Sequence, residues 1–480
     1  AAAADISHCM MVHCHLHRHR LCFINKLSMP QSLPRLSMST SSECDTETGA
    51  PISPSTIQLS SSSSIFPMHI LGGGSIGLLY ASAIHISYTR VWDIDAKTSR
   101  RSHASRKDDV SHPVTLLMRS HHKPHLRRRF DTNNDQACNV KSPHCFAPVT
   151  VSRTSLQDKG SETFASRCDV PVELIHDRTI KNEDGTHQCQ DLDNPIKCLL
   201  LCTKANDAIS ALNSVWDRLK SSPQSSPAKV IILSNGALAI RDAICKRFGG
   251  NSARLQEQTL DGGVQIVLGT TTHGAYKTQS SQSANNGDKY SGHYNITHAG
   301  EGSTHSTNEE FIDTCQSIGW ESKVLSNLDM NVMLWKKLAV NSVINPLTAI
   351  HGVKNGQLLE QDVNVITRHI LEEVSLVAML EMESLFEQIL AEEGKNCSKS
   401  DAWVQSTREQ LSVSYLQAFV FKVMSATQNN ISSMLQDVRA RRTTEVQFLN
   451  GYVASLGEEK HGIKCPWNVE MCRQVEDLLP

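Results

Sequence analysis

The sequence lacks the features that would settle its class at a glance. It contains no run of ~18 apolar residues, so no transmembrane helix is expected. No charge of one sign dominates. The formal net charge is −2 at pH 7, which removes the electrostatic reason to expect nucleic acid or an acidic membrane as a partner. Aromatic residues are few, at 5%. The 15 cysteines are unevenly spaced and include no C-x-x-C pair. A disulfide scaffold and a zinc ribbon are therefore not expected, and a reducing compartment suits the chain.

What is present is a chain of 480 residues, 39% apolar, with 25 glycines. The apolar share with glycine falls just under the ~45–50% of ordinary globular proteins. At ~150 residues per domain the length alone suggests three domains, but the dilution points to fewer domains plus polar filler.

The filler can be located. Residues 1–67 carry no sustained period of 2 or 3.6 and hold an unbroken serine run from Ser60 to Ser64, with Pro51, Pro54 and Pro67 nearby. Such a segment buries too little apolar surface to offset its ordering entropy. Up to Ser42 it is basic with Asp5 as its one acid, a composition that allows an organellar transit peptide. A leader foreign to the native protein is the other reading, since the chain begins at Ala1 rather than Met. His13, His15, His17 and His19 alternate, but nothing organises further ligands around them, and no metal site is expected. Polar insertions are expected near 97–112, 120–190, 278–292 and 391–402, with Arg127-Arg128-Arg129 as part of a solvated loop.

The first chemical signal follows the leader. Met68-His69-Ile70-Leu71 is a short apolar run, then Gly72-Gly73-Gly74-Ser75-Ile76-Gly77, then Leu78 to Ile84. Strand, G-x-G-x-x-G and helix in this order point to a dinucleotide. Gly72 makes the turn, Gly74 lets the backbone approach a pyrophosphate, and Gly77 allows close packing of helix on strand. The amides at the helix start, at Ser75 and Ile76, face the anion. An acid ending the second strand favours NAD, and an arginine there favours NADP. Spacing favours Val91-Trp92-Asp93, whereas Val114 to Met118 is the better strand and ends in Arg119. Two further apolar runs, Cys198 to Lys204 and Val230 to Gly236, fit parallel strands buried on both faces. They place Lys204 and Asn235 at carboxyl ends, where ligands of such sheets bind.

From Asp329 the periodicity turns helical. Trp335 to Pro346 is expected as one helix closed near the proline, with Lys337, Asn341 and Asn345 on one stripe. A second helix is expected to open around Asn429, with Asn430 and Ser433 on one face. A third is expected from Thr443 to Gly451, with Glu445 in its first turn.

These blocks together resemble the ketopantoate reductase (2-dehydropantoate 2-reductase) family. The resemblance rests on Gly72–Gly77, Lys204, Ser234-Asn235-Gly236, Gly269 to His273, WKKLAVNSVINPLTAI from Trp335 and NISSMLQDVRARRTTE from Asn430. It implies an α/β N-terminal Rossmann-like parallel-sheet domain over 68–325 and an all-α C-terminal domain over 326–480, with the active site between them. It implies NADPH-dependent reduction of ketopantoate to (R)-pantoate. Carried over position by position, Lys337 matches the catalytic lysine and Glu445 an active-site glutamate. Asn235, Asn341, Asn345 and Ser433 match substrate contacts, and Asn430 a polar neighbour of that set. Gly72, Gly74, Ser75, Ile76, Gly77, Lys204 and Asn235 fall at the cofactor. Arg119 matches the arginine that reads the 2′-phosphate, which requires Asp93 to lie in an insertion. The resemblance is compatible with a monomer or homodimer, and with a cytoplasmic location, or a mitochondrial one if the leader is genuine. A reductase of another 2-oxo acid and a non-catalytic NADPH-binding regulator are the alternatives.

Overall fold

The structure, a computed structural model, describes residues 67–98, 114–119, 127–128, 145–154, 164–175, 195–223, 225–249, 258–260, 262–278, 294–299, 302–393 and 400–479. They belong to one unit, Ser64–Pro480. The leader, its histidines and most of the insertions at 97–112 and 278–292 lie outside the described residues.

The apolar runs form the centre of a sheet. Met68–Leu71 is β1 and Ser75–Thr98 is α1. Then come β2 (Val114–Arg119), β3 (Arg127–Arg128), β4 (Cys145–Thr154) and β5 (Phe164–Ile175). They are followed by β6 (Cys198–Leu201), α2 (Ala205–Lys220), β7 (Lys229–Ile232) and α3 (Ala237–Phe248). Next are β8 (Gln258–Thr259), β9 (Gln265–Thr271), β10 (Gly274–Thr278), β11 (Tyr294–Ala299) and β12 (Ser303–Ser306). Helix α4 (Glu309–Ser317) and β13 (Glu321–Val324) complete this half.

The strand order is β10-β11-β4-β5-β2-β1-β6-β7-β9-β12-β13, with β3 beside β4 and β8 beside β9. The central pairs β5–β2, β2–β1, β1–β6, β6–β7 and β7–β9 are parallel. Alternate residues of the central strands enter two different cores. Leu199, Leu201, Val230 and Ile232 pack with α2 and α3 on one face, while Leu200 and Ile231 pack with α1 and α4 on the other. Burial on both faces is why these strands are continuous apolar runs.

Two expectations about this half are corrected. The second strand is β2, the run ending in Arg119 that the resemblance called for rather than the one that spacing favoured, and its Val114 pairs with Met68. Val91-Trp92-Asp93 lies inside α1, because no Gly or Pro interrupts the chain between Gly77 and Pro113 to end the helix earlier. The stretch 120–190 is not all insertion: it supplies β4 and β5, an antiparallel pair joined to the sheet through β2, and Arg127–Arg128 pairs with β4 rather than lying in a loop.

The second half is helical: α5 (Asn327–His351), α6 (Asn364–Glu393), α7 (Ser400–Gln410), α8 (Val413–Ala426), α9 (Ser433–Arg439), α10 (Asn450–His461) and α11 (Pro466–Glu476). No helix among the described residues is long and apolar enough to cross a membrane. Helix α5 does not close at Pro346 but passes through it. The proline removes the amide that Ser342 would have received, and the Asn450 side-chain amide replaces it, donating to the Ser342 carbonyl at 2.9 Å. The other two helix starts are later than expected. Ser432 caps α9, accepting from Leu435 N at 3.1 Å, so Asn430 lies in the preceding turn. Glu445 caps a short 3-10 turn, Val446–Phe448, and Gly451 falls inside α10 instead of ending a helix.

Candidate active site

The glycine turn leaves the end of β1 and hands the chain to α1. Gly72 has φ +123°, and a Cβ there would lie 2.8 Å from the Cys202 carbonyl carbon, so only glycine fits. A Cβ at Gly77 would lie 2.0 Å from the Gly72 oxygen, which is the close approach of helix to strand. Gly74 differs: the nearest atom to its Cβ position is 3.7 Å away, so its open side is room for a ligand rather than packing. Gly72, Gly74, Ser75 and Ile76 all border a cleft of about 1110 Å³. The buried Thr203 hydroxyl, at the end of β6, also borders it and has no hydrogen-bond partner among the described residues. A helix N-terminus, an open glycine and an unpaired hydroxyl along one wall fit the phosphates of a dinucleotide.

The opposite wall comes from the helical half. Lys337 of α5, Asn430, Ser433 and Glu445 line it, with Asn235 and Lys204 at the sheet ends. The Lys337 ammonium donates to Thr270 Oγ1 at 3.0 Å and to the Thr271 carbonyl at 3.1 Å. Burial lowers its pKa to about 8, against an opposing upward pull from Glu445. Glu445 is 8% exposed. One of its oxygens accepts from Ala205 N, the first amide of α2, at 2.8 Å, and the other from Asn235 Nδ2 at 3.4 Å. Burial raises the Glu445 pKa, and these donors oppose it. Lys204 pairs with Asp437 at 2.5 Å, and Asp437 also accepts from Arg442 Nε at 3.0 Å.

The remaining expected residues are placed differently. Asn341 lines a separate small pocket with Lys337, Ser234 and Tyr452. Asn345 is buried and borders neither cavity. Arg119 ends β2, next to Met118, which does line the cleft. Two more residues of the cleft were not named as site residues from the sequence, although His273 belongs to one of the blocks that carry the resemblance. Lys277 on β10 donates to the Gly73 carbonyl at 2.7 Å. His273 follows β9, and its Nδ1 lies 3.0 Å from His298 Nε2. Lys277 and His273 border the cleft. Lys277 arrives through the pairing of β10 with β11 across a long loop, which no local spacing reveals. Among the described residues no cluster of His, Cys, Asp or Glu could hold a metal ion.

A parallel sheet whose glycine turn opens onto a cleft, with a buried lysine from the helical half bordering the same cleft, defines the Rossmann-like dinucleotide fold class. The family model "Ketopantoate reductase PanE/ApbA" matches residues 111–306, and its C-terminal companion matches residues 329–478. The chain belongs to the ketopantoate reductase family.

Among its relatives, a 2-dehydropantoate 2-reductase of Vibrio cholerae is 33% identical over 213 residues, 44% of this chain and 60% of the relative. One of Shigella flexneri is 29% identical over 313 residues, 64% of this chain and 82% of the relative. The chain thus spans less than two thirds of the first relative's length. A solved ketopantoate reductase from Ralstonia eutropha is 17% identical with a TM-score of 0.48, covering 86% of this chain and 98% of the other.

Proposed function

We propose that this protein reduces 2-dehydropantoate to (R)-pantoate with NADPH, a step toward pantothenate and coenzyme A. The observation that carries the reading is the Lys337 ammonium, its pKa lowered by burial to about 8, in the same cleft as an open glycine turn. The nicotinamide, when bound, supplies the hydride to the ketone carbon. The chain's own residues supply the rest. Lys337 gives a proton to the ketone oxygen as its charge develops, and its positive charge stabilises that oxygen beforehand. Thr270 and the Thr271 carbonyl hold the ammonium in place. Ser433 and Asn430, on the same wall, offer a hydroxyl and an amide to the substrate's carboxylate.

Glu445 acts here as a positioning residue, since both of its oxygens are engaged by Ala205 and Asn235. It fixes Asn235 at the carboxyl end of β7, and its charge helps to keep Lys337 protonated. Asn341 and Asn345 extend the polar stripe behind Lys337. Gly72, Gly74, Ser75, Ile76 and Gly77 form the phosphate turn, with Lys204 beside it. Arg119, which the resemblance matches to the arginine that reads a 2′-phosphate, is assigned that role and ends the strand next to β1.

The test is oxidation of NADPH by the full-length protein with ketopantoate. Lys337→Ala should lower kcat by about 10²–10⁴-fold, the usual range for removing a general acid, while the NADPH Kd changes little. Cofactor binding without turnover, or preferred turnover of another 2-oxo acid, would overturn the substrate assignment.

A further inference from the structure

We propose that Lys277 is a phosphate-binding cation of the cofactor site, reaching from β10 over the glycine turn to pair with the pyrophosphate. The inference rests on the dinucleotide reading of the cleft and adds a residue to it.

Strand β10 is not part of the parallel β-α-β core. It is the terminal strand of the sheet and is antiparallel to β11. Even so, its Lys277 reaches the turn after β1, where Nζ donates to the Gly73 carbonyl at 2.7 Å. That single bond fixes an ammonium beside Gly74 and the start of α1, the wall with open room for a phosphate. Two other lysines that line the cleft are already engaged. Lys204 has Asp437, and Lys337 has Thr270 and the Thr271 carbonyl. Among the described residues Lys277 has a carbonyl and the face of Tyr294, with Nζ 5.3 Å from the ring centroid.

Among the described residues no carboxylate pairs with Lys277, and its pKa is lowered, first by loss of water and then by the nearby Arg442 cation. The side chain as a whole remains exposed. An ammonium that is partly dehydrated, next to another cation and without a counter-ion, favours an incoming anion. A diphosphate bridging the α1 amides and Lys277 would satisfy both.

The pyrophosphate is common to NADPH and NADH, whereas a 2′-phosphate is not, and this separates the possible roles. Kd values of the full-length protein for both cofactors would be measured by isothermal titration at low ionic strength. Lys277→Gln should weaken NADPH and NADH by the same factor, roughly ten- to a hundredfold for a lost charge-assisted hydrogen bond. Lys277→Arg should restore most of the affinity, because it keeps the positive charge. The salt dependence of binding should be shallower for Lys277→Gln than for wild type. Unchanged affinity in Lys277→Gln, with wild type binding normally, overturns this inference alone. So does a loss confined to NADPH, which would move Lys277 to the 2′-phosphate. If the wild-type protein binds neither cofactor, the dinucleotide reading fails with it.

Discussion

Two opposing influences meet at the ammonium of Lys337. Burial favours its neutral form, and the Glu445 carboxylate favours its charged form. The balance lies at about 8. A general acid must hold its proton, so kcat/KM for the reduction should be flat below pH 8 and fall by roughly tenfold per pH unit above it. Removing the nearby anion lowers a lysine pKa further. In Glu445→Gln the break in the pH profile should therefore move to lower pH, a readout that loss of structure alone would not produce. A break that stays in place, or moves upward, would show that Glu445 does not support the charge on Lys337. Lys337 was legible in the sequence because the motif around it is dense and local. Lys277 was not, since nothing near it in the chain marks a ligand and its contact with Gly73 spans 204 positions.

Helix α5 contains its own proline, and its continuity depends on a side chain from α10. Asn450 is fully buried and donates both to Ser342 O and to Asn468 Oδ1. Asn450→Ala leaves a buried carbonyl unsatisfied and should cost about 1–3 kcal/mol in urea unfolding. Pro346→Ala returns an amide to Ser342, so the same Asn450 change should cost less in that background, by about 1 kcal/mol. Additive costs would mean that Asn450 matters for other reasons. The glycine turn offers a second element-level contrast. Gly77→Ala forces a Cβ to 2.0 Å from a backbone oxygen and should destabilise the fold, whereas Gly74→Ala meets nothing closer than 3.7 Å. Gly74→Ala should therefore keep the wild-type Tm and lose cofactor affinity, as measured by thermal unfolding and titration together. Strands β1, β6 and β7 were legible because both of their faces are buried. β4 and β5 were not: Pro148 and Pro171 demote a strand reading, and exposed Arg167 and Asp169 dilute the apolar pattern. The structure accommodates Pro171 one residue before pairing with β2 begins.

At the scale of the whole molecule, the sheet and the helical half are joined by polar contacts and by a shared apolar core. Ala205 N, Asn206 Nδ2 and Lys204 Nζ, around the start of α2, bind Glu445, Thr444 and Asp437. Tyr452 of α10 donates to Asp242 of α3 at 2.7 Å. Those partners lie more than 200 positions apart, so only the family resemblance, and no spacing, anticipated that the halves would meet there. The larger of the two apolar clusters runs from Leu71 in β1 through Trp216 and Ile240 to Trp335, Val377 and Val475. Chains with two domains commonly unfold in separate steps. Here separation of the halves would expose one continuous core and leave the buried Glu445 without its donors. Unfolding in urea should therefore be a single transition, with tryptophan fluorescence and far-ultraviolet circular dichroism giving the same midpoint. Trp335, 2% exposed, stacks 6.3 Å from Tyr452, and Trp216 stacks 4.1 Å from Phe248, so fluorescence reports on both halves. A fluorescence change that precedes the loss of helical signal would mean that the sheet and the helices open independently, and that the cleft is held by its polar contacts alone.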